Sequence, residues 1–448
     1  MVGREWHAIV GRMYPRAVVT DRSAITGGPV EGLLYLAYDG RGREAELPGV
    51  TVLARAGAGP LDGDIALPGG LHQASKGRAL AENTRPSRSR NGRIRRTLDA
   101  AELGDWIDRL CQTDGVQRLA EYREKAEQVA DAVGAPEEGV ARLSQMIGAA
   151  LGTQQVRTSS KALAARQASL PYDQDRIRRF DRLITRLRES APQSRPVREP
   201  RDPRYTYLPF FEAYFSNLIE GTEFELDEAI AVVYDSKQIP GRSDDSHDLL
   251  GTYKVVSDLD EMTALASTAD EFIQLLRSRH ATILGGRPEK RPGFFKETAN
   301  RAGDSLFVLP RLVAGTLRAG WERISELDTA FERAVYVMFL ISEVHPFDDG
   351  NGRLAPVMMN AELVAGTQSR IIIPTVFRDD YLGGLRRMTR QDDPSLLIKS
   401  LRYGHDYTAQ IDFSDLTRAA DILRATNAFN EPDSEQRLTL PGSLGLQG

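Results

Sequence analysis

His345-Pro346-Phe347-Asp348-Asp349-Gly350-Asn351-Gly352-Arg353 lies between two apolar runs, Ala334 to Ile341 and Leu354 to Ala365. The flanking runs carry helical patterning, so the nine residues read as a loop that enters a helix N-terminus. Unpaired N–H groups and the helix dipole make such an end a favourable place for an anion.

The residue types then suggest chemistry in order. His345 has an ordinary pKa near neutrality, so its neutral imidazole can accept the proton of an attacking hydroxyl. Gly350 and Gly352 permit positive φ and close backbone approach, which lets the N–H groups of 350–353 point at a phosphate. Asp349 offers a hard oxygen for Mg²⁺, an ion commonly held by one or two carboxylates and substrate phosphates. Arg353 can pair with a neighbouring phosphate by charge-assisted hydrogen bonds. Phe347 reads as a core anchor for the loop.

These nine residues resemble the signature of the Fic (filamentation induced by cAMP) family, His-Pro-Phe-x-Asp/Glu-Gly-Asn-Gly-Arg-x-x-Arg, and match it through Arg353. The resemblance implies a mainly α fold, a helical core with a β-hairpin flap, and transfer of AMP from ATP to a hydroxyl side chain of a target protein. It also implies His345 as base, Asp349 as Mg²⁺ ligand, and Gly350, Asn351, Gly352 and Arg353 as phosphate cradle. A phosphotransferase branch of the family has Ala and Lys where Gly350 and Gly352 stand, so the glycines favour AMP transfer. One position departs from the pattern: the second motif arginine is replaced by Pro356, which has neither a cation nor an N–H.

Upstream, Ser216-Asn217-Leu218-Ile219-Glu220-Gly221 places Ser216 and Glu220 on one helical face, with Gly221 suited to end the turn. It resembles the family's inhibitory motif, in which the glutamate intrudes on the ATP site; Ser216, Glu220 and Gly221 are the implied inhibitory residues. Residues 291–296 and 305–310 are short apolar stretches around Asn300 to Asp304, and read as a hairpin. This segment, about 291–310, resembles the family's flap, on whose strand edge the target protein docks. Tyr381 and Leu385 lie four apart on an expected helix after Ile371-Ile372-Ile373-Pro374; they can wall an adenine pocket or pack in the core.

Composition fits a water-soluble protein of two or three domains: 448 residues, 41% hydrophobic, net charge −5. No run reaches membrane-spanning length, and the first residues lack the apolar segment of a signal peptide. The lone cysteine, Cys111, excludes an internal disulfide framework and a thiolate-rich zinc site, so a cytoplasmic setting is expected. Assembly into a homo-oligomer is left open.

The first 96 residues differ in texture, with Gly- and Pro-rich turns around strand-like runs such as 32–38 and 50–53, and are expected to form a small α+β module. Tyr14 to Ala24, with Glu46-Leu47-Pro48-Gly49, resembles the body of AbiE-type antitoxin regulators, which makes the module toxin–antitoxin-like. Arg85 to Arg96 holds six arginines and no acid, a stretch that can contact nucleic acid or form an exposed basic loop. Residues 97–204 read as a helical spacer and linker, ending in the proline-rich segment 190–204, and 205–448 as the catalytic domain. Two alternatives remain beside an adenylyltransferase autoinhibited by Glu220: a catalytically weak nucleotide-binding regulator, and a DNA-binding antitoxin-like repressor.

Overall fold

Leu33 to Tyr38 is apolar at nearly every position and becomes a strand buried on both faces, whereas Val50-Thr51-Val52 alternates and buries only its valines. These are β2 (Leu33–Tyr38) and β4 (Val50–Ala56) of a six-stranded mixed sheet in a computed structural model of the chain. The described residues are 2–446 except 90, 91, 200, 223 and 238, with side chains from Trp6 onward. Arg90 and Asn91 of the basic stretch and Pro200 of the linker lie outside them. The sheet also contains β1 (Val18–Val19), β3 (Glu44–Leu47), β5 (Ile65–Ala66) and β6 (His72–Gln73), in the order β3-β4-β2-β1-β6-β5. Among the described residues only β2–β4 and β1–β6 are parallel pairs.

This sheet belongs to the first of two compact units, Met1–Pro171 and Tyr172–Gly448. In the first unit, Trp6 and Val10 of α1 (Val2–Met13) and Tyr14 just after it enter a core with Leu34, Leu36 and Val52. The remaining helices are α2 (Ser23–Thr26), α3 (Lys76–Asn83), α4 (Ala100–Thr113), α5 (Val116–Val133), α6 (Glu137–Ala150) and α7 (Lys161–Gln167). Leu80, Ile107, Leu119, Ile147 and Leu163 join α3 through α7 in a second core that also reaches Val18 of the sheet.

Much of the basic stretch is engaged inside this unit. Arg93 pairs with Glu44 at 2.6 Å, Arg96 with Asp21 at 2.8 Å and Arg95 with Asp99 at 3.7 Å, while Arg85 donates to Val133 O at 3.1 Å. Less free positive charge is therefore offered to phosphates than the sequence count suggests.

The second unit opens with α8 (Gln174–Glu189), whose Ile177, Phe180, Leu183, Ile184 and Leu187 enter its main core. The expected spacer at 97–204 is thus divided at 171/172, not set apart at 96/97 and 204/205. Its amphipathic helices show an apolar stripe in sequence, but only the folded chain decides which core each stripe joins.

The rest of the unit comprises α9 (Leu208–Ile219), α10 (Leu226–Tyr234), α11 (Ser243–Ser257), α12 (Leu259–Thr263), α13 (Ala269–Ile283), α14 (Pro310–Trp321), α15 (Ala330–Val344), α16 (Asn351–Ala365), α17 (Arg378–Gln391), α18 (Ser395–Thr408) and α19 (Leu416–Ala425). The protein is mainly helical, as expected, with strands concentrated in the N-terminal unit. α15 is central: every residue from Ala334 to Ile341 is buried, as an apolar run without a polar face requires. A Thr329–Glu332 capping box fixes its start. No helix among the described residues is long and apolar enough to cross a membrane.

The flap is smaller than the apolar stretches implied. Its strands are β7 (Arg301–Ala302) and β8 (Ser305–Leu306), and residues 291–296 contain a turn at 292–293 and no strand. In that segment Lys296 N–H bonds Pro346 O at 2.9 Å and Phe295 packs on Phe347, so these two are used on the His345 loop while Phe294 stays exposed.

Candidate active site

α15 ends where His345 takes a left-handed conformation (φ 51°), its N–H still bonded to Ile341 O at 2.8 Å. The chain then turns through residues 346–350 into α16. Asn351 braces this loop: Oδ1 accepts from Phe347 N–H at 3.0 Å and Nδ2 donates to Phe347 O at 2.9 Å. Its side chain is therefore committed to the loop, and only its main-chain N–H remains for the expected cradle. Gly350 caps α16 at φ 74°, where a Cβ would also press to 2.9 Å from Leu284 Cδ1. The N–H groups of Asn351, Gly352 and Arg353 open the helix without intrahelical partners.

Behind the loop stands His280 of α13, which the sequence reading missed. Its ring stacks on Phe347 at 3.7 Å, and its Nδ1 accepts from Gly293 N–H at 2.9 Å. Nε2 therefore carries the proton and donates to Asp349 O at 3.0 Å. Asn300 Nδ2 also donates to Phe347 O at 3.0 Å, and Lys296 Nζ to Val344 O at 3.4 Å. A lone histidine on a helix carries no sequence mark of this role, because its partners, Gly293 and the 347–349 loop, come from two separate segments.

The His345 ring stacks on Phe307 at 3.8 Å and lines a 640 Å³ cavity with Glu220, Gly352, Tyr381, Leu382 and Leu385. Burial, then the nearby Lys296 charge, lower its pKa to about 4, against a hydrogen bond to the Ser342 backbone and the charge of Asp349. The imidazole is neutral at pH 7, the form that accepts a proton. Burial opposes ionisation of Asp349, but the Gly350 N–H at 2.7 Å and the Arg353, Lys290 and Arg287 charges outweigh it and hold its pKa low. Asp349 Oδ2 lies 3.5 Å from Lys290 Nζ. Among the described residues no group of three or more His, Cys, Asp or Glu side chains is arranged to hold a metal ion. A carboxylate acting together with substrate phosphates remains compatible with Mg²⁺.

Burial also lowers His280 and His405 to a pKa of about 4, from an ordinary 6.5. Between these values the unfolded chain binds more protons than the folded one, so the three histidines add stability above about pH 6.5 that is lost as pH falls toward 4. The thermal midpoint of the second unit is expected to fall over this window, by a destabilisation on the order of a few kcal/mol for each histidine. Calorimetry in steps from pH 7.5 to 4 checks it, and a constant midpoint would contradict the burial of these rings.

α9 ends as the sequence suggested, with Glu220 after its last residue and Gly221 at φ 89°. The Glu220 side chain is open to the cavity, and a Cβ on Gly352 would collide with its carboxylate. An anion from α9 thus rests against the first turn of α16. Desolvation raises the Glu220 pKa, opposed by the Arg353 charge, reinforced by Asp349 and opposed again by Arg378. Ser216 reaches the same helix through Arg353 O, at 3.5 Å.

Arg353 differs from expectation. It is buried, with Nε donating to Asn217 Oδ1 at 3.0 Å and Nη2 3.0 Å from Asp248 Oδ2, while Nη1 has no hydrogen-bond partner. Asp248 also pairs with Arg287 at 2.7 Å. Asp248 was not singled out in the sequence, where it is one of three aspartates at the start of α11 and looks like any surface carboxylate. Tyr381 is buried, with its hydroxyl 3.3 Å from Met338 Sδ, so packing dominates and Leu382 and Leu385 offer the more accessible apolar wall. Pro356 sits inside α16, beyond the first turn, and removes the N–H that would bond Gly352 O.

Residues 271–363, from α13 through the His345 loop into α16, match the Fic/DOC family. The similarity to that family is carried by this segment. Two curated relatives are the protein adenylyltransferase Fic of Nematostella vectensis, 28% identical over 245 residues, and the protein adenylyltransferase fic-1 of Caenorhabditis elegans, 27% identical over 236. The alignments cover 52% and 51% of this chain and 56% and 46% of those proteins, so the chain spans about half the length of the relatives it matches. A Fic domain containing signaling protein of Bacteroides thetaiotaomicron aligns over 55% of this chain and 97% of its own, at 16% identity and TM-score 0.39.

Proposed function

We propose that this chain is a protein adenylyltransferase that moves AMP from ATP to a hydroxyl side chain of a target protein, and that Glu220 restrains it. The observation that carries this reading is a single cavity holding neutral His345, the open N–H groups of α16 and a carboxylate already resting against them. The names of the curated relatives support the same activity. In the reaction, the target oxygen forms a bond to the α-phosphorus, the bond from that phosphorus to the bridging oxygen breaks, and pyrophosphate leaves. His345 takes the hydroxyl proton. Asp349 would hold Mg²⁺, which neutralises phosphate charge when bound. The α16 N–H groups orient the phosphates, and Leu382 and Leu385 give the base an apolar wall. The target is a protein segment that docks beside the flap, and the single buried thiol, Cys111, favours a reducing, cytoplasmic setting.

The deciding experiment uses ATP labelled at the α- or γ-phosphate, Mg²⁺ and a cell lysate, with native protein and Glu220→Gly. Incorporation of the α-label alone is expected. Incorporation of the γ-label alone would replace this reading with phosphotransfer. Asp349→Ala should lose Mg²⁺-dependent nucleotide affinity together with turnover, and unchanged Mg²⁺-ATP affinity would count against its metal role.

A second reading, a nucleotide-binding regulator with little transfer activity, is favoured by Pro356, which supplies no cation. ATP binding without incorporation of either label would support it. The DNA-binding alternative draws less support, since Arg85, Arg93, Arg95 and Arg96 are engaged within the first unit.

A further inference from the structure

His345 keeps a left-handed backbone, φ 51°, a conformation that strains a residue with a Cβ and persists only where surrounding groups fix it. Lys296, from the segment that leads into the flap, supplies much of that restraint. Its N–H bonds Pro346 O at 2.9 Å and its Nζ reaches Val344 O at 3.4 Å, so one residue holds the carbonyls on both sides of His345. Nζ also donates to Asn300 Oδ1 at 2.5 Å, and Asn300 Nδ2 donates to Phe347 O at 3.0 Å. The same ammonium lies over the Phe307 ring, 5.9 Å from its centroid, and Phe307 stacks on the His345 imidazole.

Lys296 is 3% exposed and, among the described residues, makes no ion pair: two neutral oxygens and a ring face hold its ammonium. A buried cation without a carboxylate is disfavoured. Burial lowers the Lys296 pKa to about 8, so the protonated donor still dominates at pH 7. An apolar side chain of similar length would fill the space without that cost, so packing alone does not account for the cation. The other braces serve other positions. Asn351 and His280 restrain residues 347 and 349, and among the described residues no other side chain bonds Val344 O.

We propose that Lys296 is a positioning residue for the His345 base: it ties the end of α15 to Asn300 and the loop beyond, and backs the Phe307 ring on which the imidazole stacks. Among the described residues Lys296 is not one that lines the His345 cavity, so it acts through these contacts. The assignment rests on the adenylyltransferase reading above and adds a residue from outside the nine-residue motif. It also couples the base to the flap, since Asn300 adjoins β7 and Phe307 follows β8.

The test uses the Glu220→Gly protein as parent and the same protein carrying Lys296→Met, Lys296→Arg, Asn300→Ala, or Lys296→Met with Asn300→Ala. Three quantities are measured: single-turnover AMP transfer at saturating ATP, ATP affinity by calorimetry, and the imidazole proton resonances of His345, assigned by their loss in His345→Ala. Misplacement of the base should slow transfer roughly ten- to a hundredfold in Lys296→Met, with ATP affinity within about threefold of the parent. The His345 resonances should move toward unstacked positions, and arginine, which keeps the cation, should recover most of the rate. Asn300→Ala should also slow transfer, and the double variant should lose less than the product of the two single losses, because both act through one clamp. Unchanged transfer in Lys296→Met would overturn the proposal. So would equal loss of transfer and ATP affinity, which assigns Lys296 to general support of the fold. If Lys296→Met does not fold, Asn300→Ala decides by the same criteria. Absence of transfer by the parent would remove the adenylyltransferase reading and this assignment with it, whereas normal transfer by the parent with no Lys296 effect removes the assignment alone.

Discussion

His345→Ala is expected to reduce AMP transfer by roughly two to four orders of magnitude, the usual range for removal of a general base, while Mg²⁺-ATP affinity stays within about threefold of the parent. The two effects separate because of where the residue sits. Its ring lines the cavity and stacks on Phe307, whereas the phosphate contacts proposed above would come from the first turn of α16. Its depressed pKa makes the acceptor form dominant throughout the neutral range, so activity should not fall through an ordinary histidine titration near pH 6.5. The measurement is single-turnover transfer by the Glu220→Gly protein with and without the His345 change, beside nucleotide binding on the same preparations. Native-like rates in the alanine variant would remove His345 from the mechanism. Loss of ATP binding with turnover would instead make it a nucleotide-binding residue.

Glu220→Gly should produce the opposite change, a gain of roughly ten- to a hundredfold in ATP affinity and a comparable or larger gain in AMP incorporation. In the resting chain the carboxylate rests against Gly352, in the space where the α16 N–H groups would meet phosphate, and both its bulk and its charge oppose ATP. Pro356 makes the experiment informative. Inhibition that depended only on tying up an arginine at 356 could not operate here, and the substitution would then change little. Activation would show that obstruction of the cradle suffices. Glu220→Gln separates the two components: if charge dominates it should approach the glycine variant, and if bulk dominates it should remain near native. Unchanged ATP affinity in both variants would sink the inhibitory role.

Several features of the site were legible because they reside in local sequence. An apolar run without a polar face requires a buried helix, which α15 is, and the glycine-bearing loop after it delivers free N–H groups to the start of α16. The end of α9 at Glu220 and Gly221 follows from helical spacing and a residue that tolerates φ of 89°. The mainly helical class was implied by the resemblance of the His345 motif, and the strands of the first unit by short apolar runs between Gly- and Pro-rich turns.

Tertiary structure decided what depends on partners distant in the chain. His280 braces the loop because Gly293 and Asp349 converge on its two nitrogens, and no spacing in the sequence announces that convergence. Arg353 has the residue type of a phosphate ligand, yet α9 and α11 bring Asn217 and Asp248 to it and bury it. The same physics divided the expected spacer, since an amphipathic stripe specifies that a helix must be covered but not by which core. It placed Arg378 beside the residue preceding Glu220 as well, 159 positions away in sequence. Sequence by itself determined that the run before His345 is a buried helix and which residue types its loop carries; only the folded chain determined which charges are neutralised and which stay available, because Coulomb energy and desolvation depend on distance and burial in space.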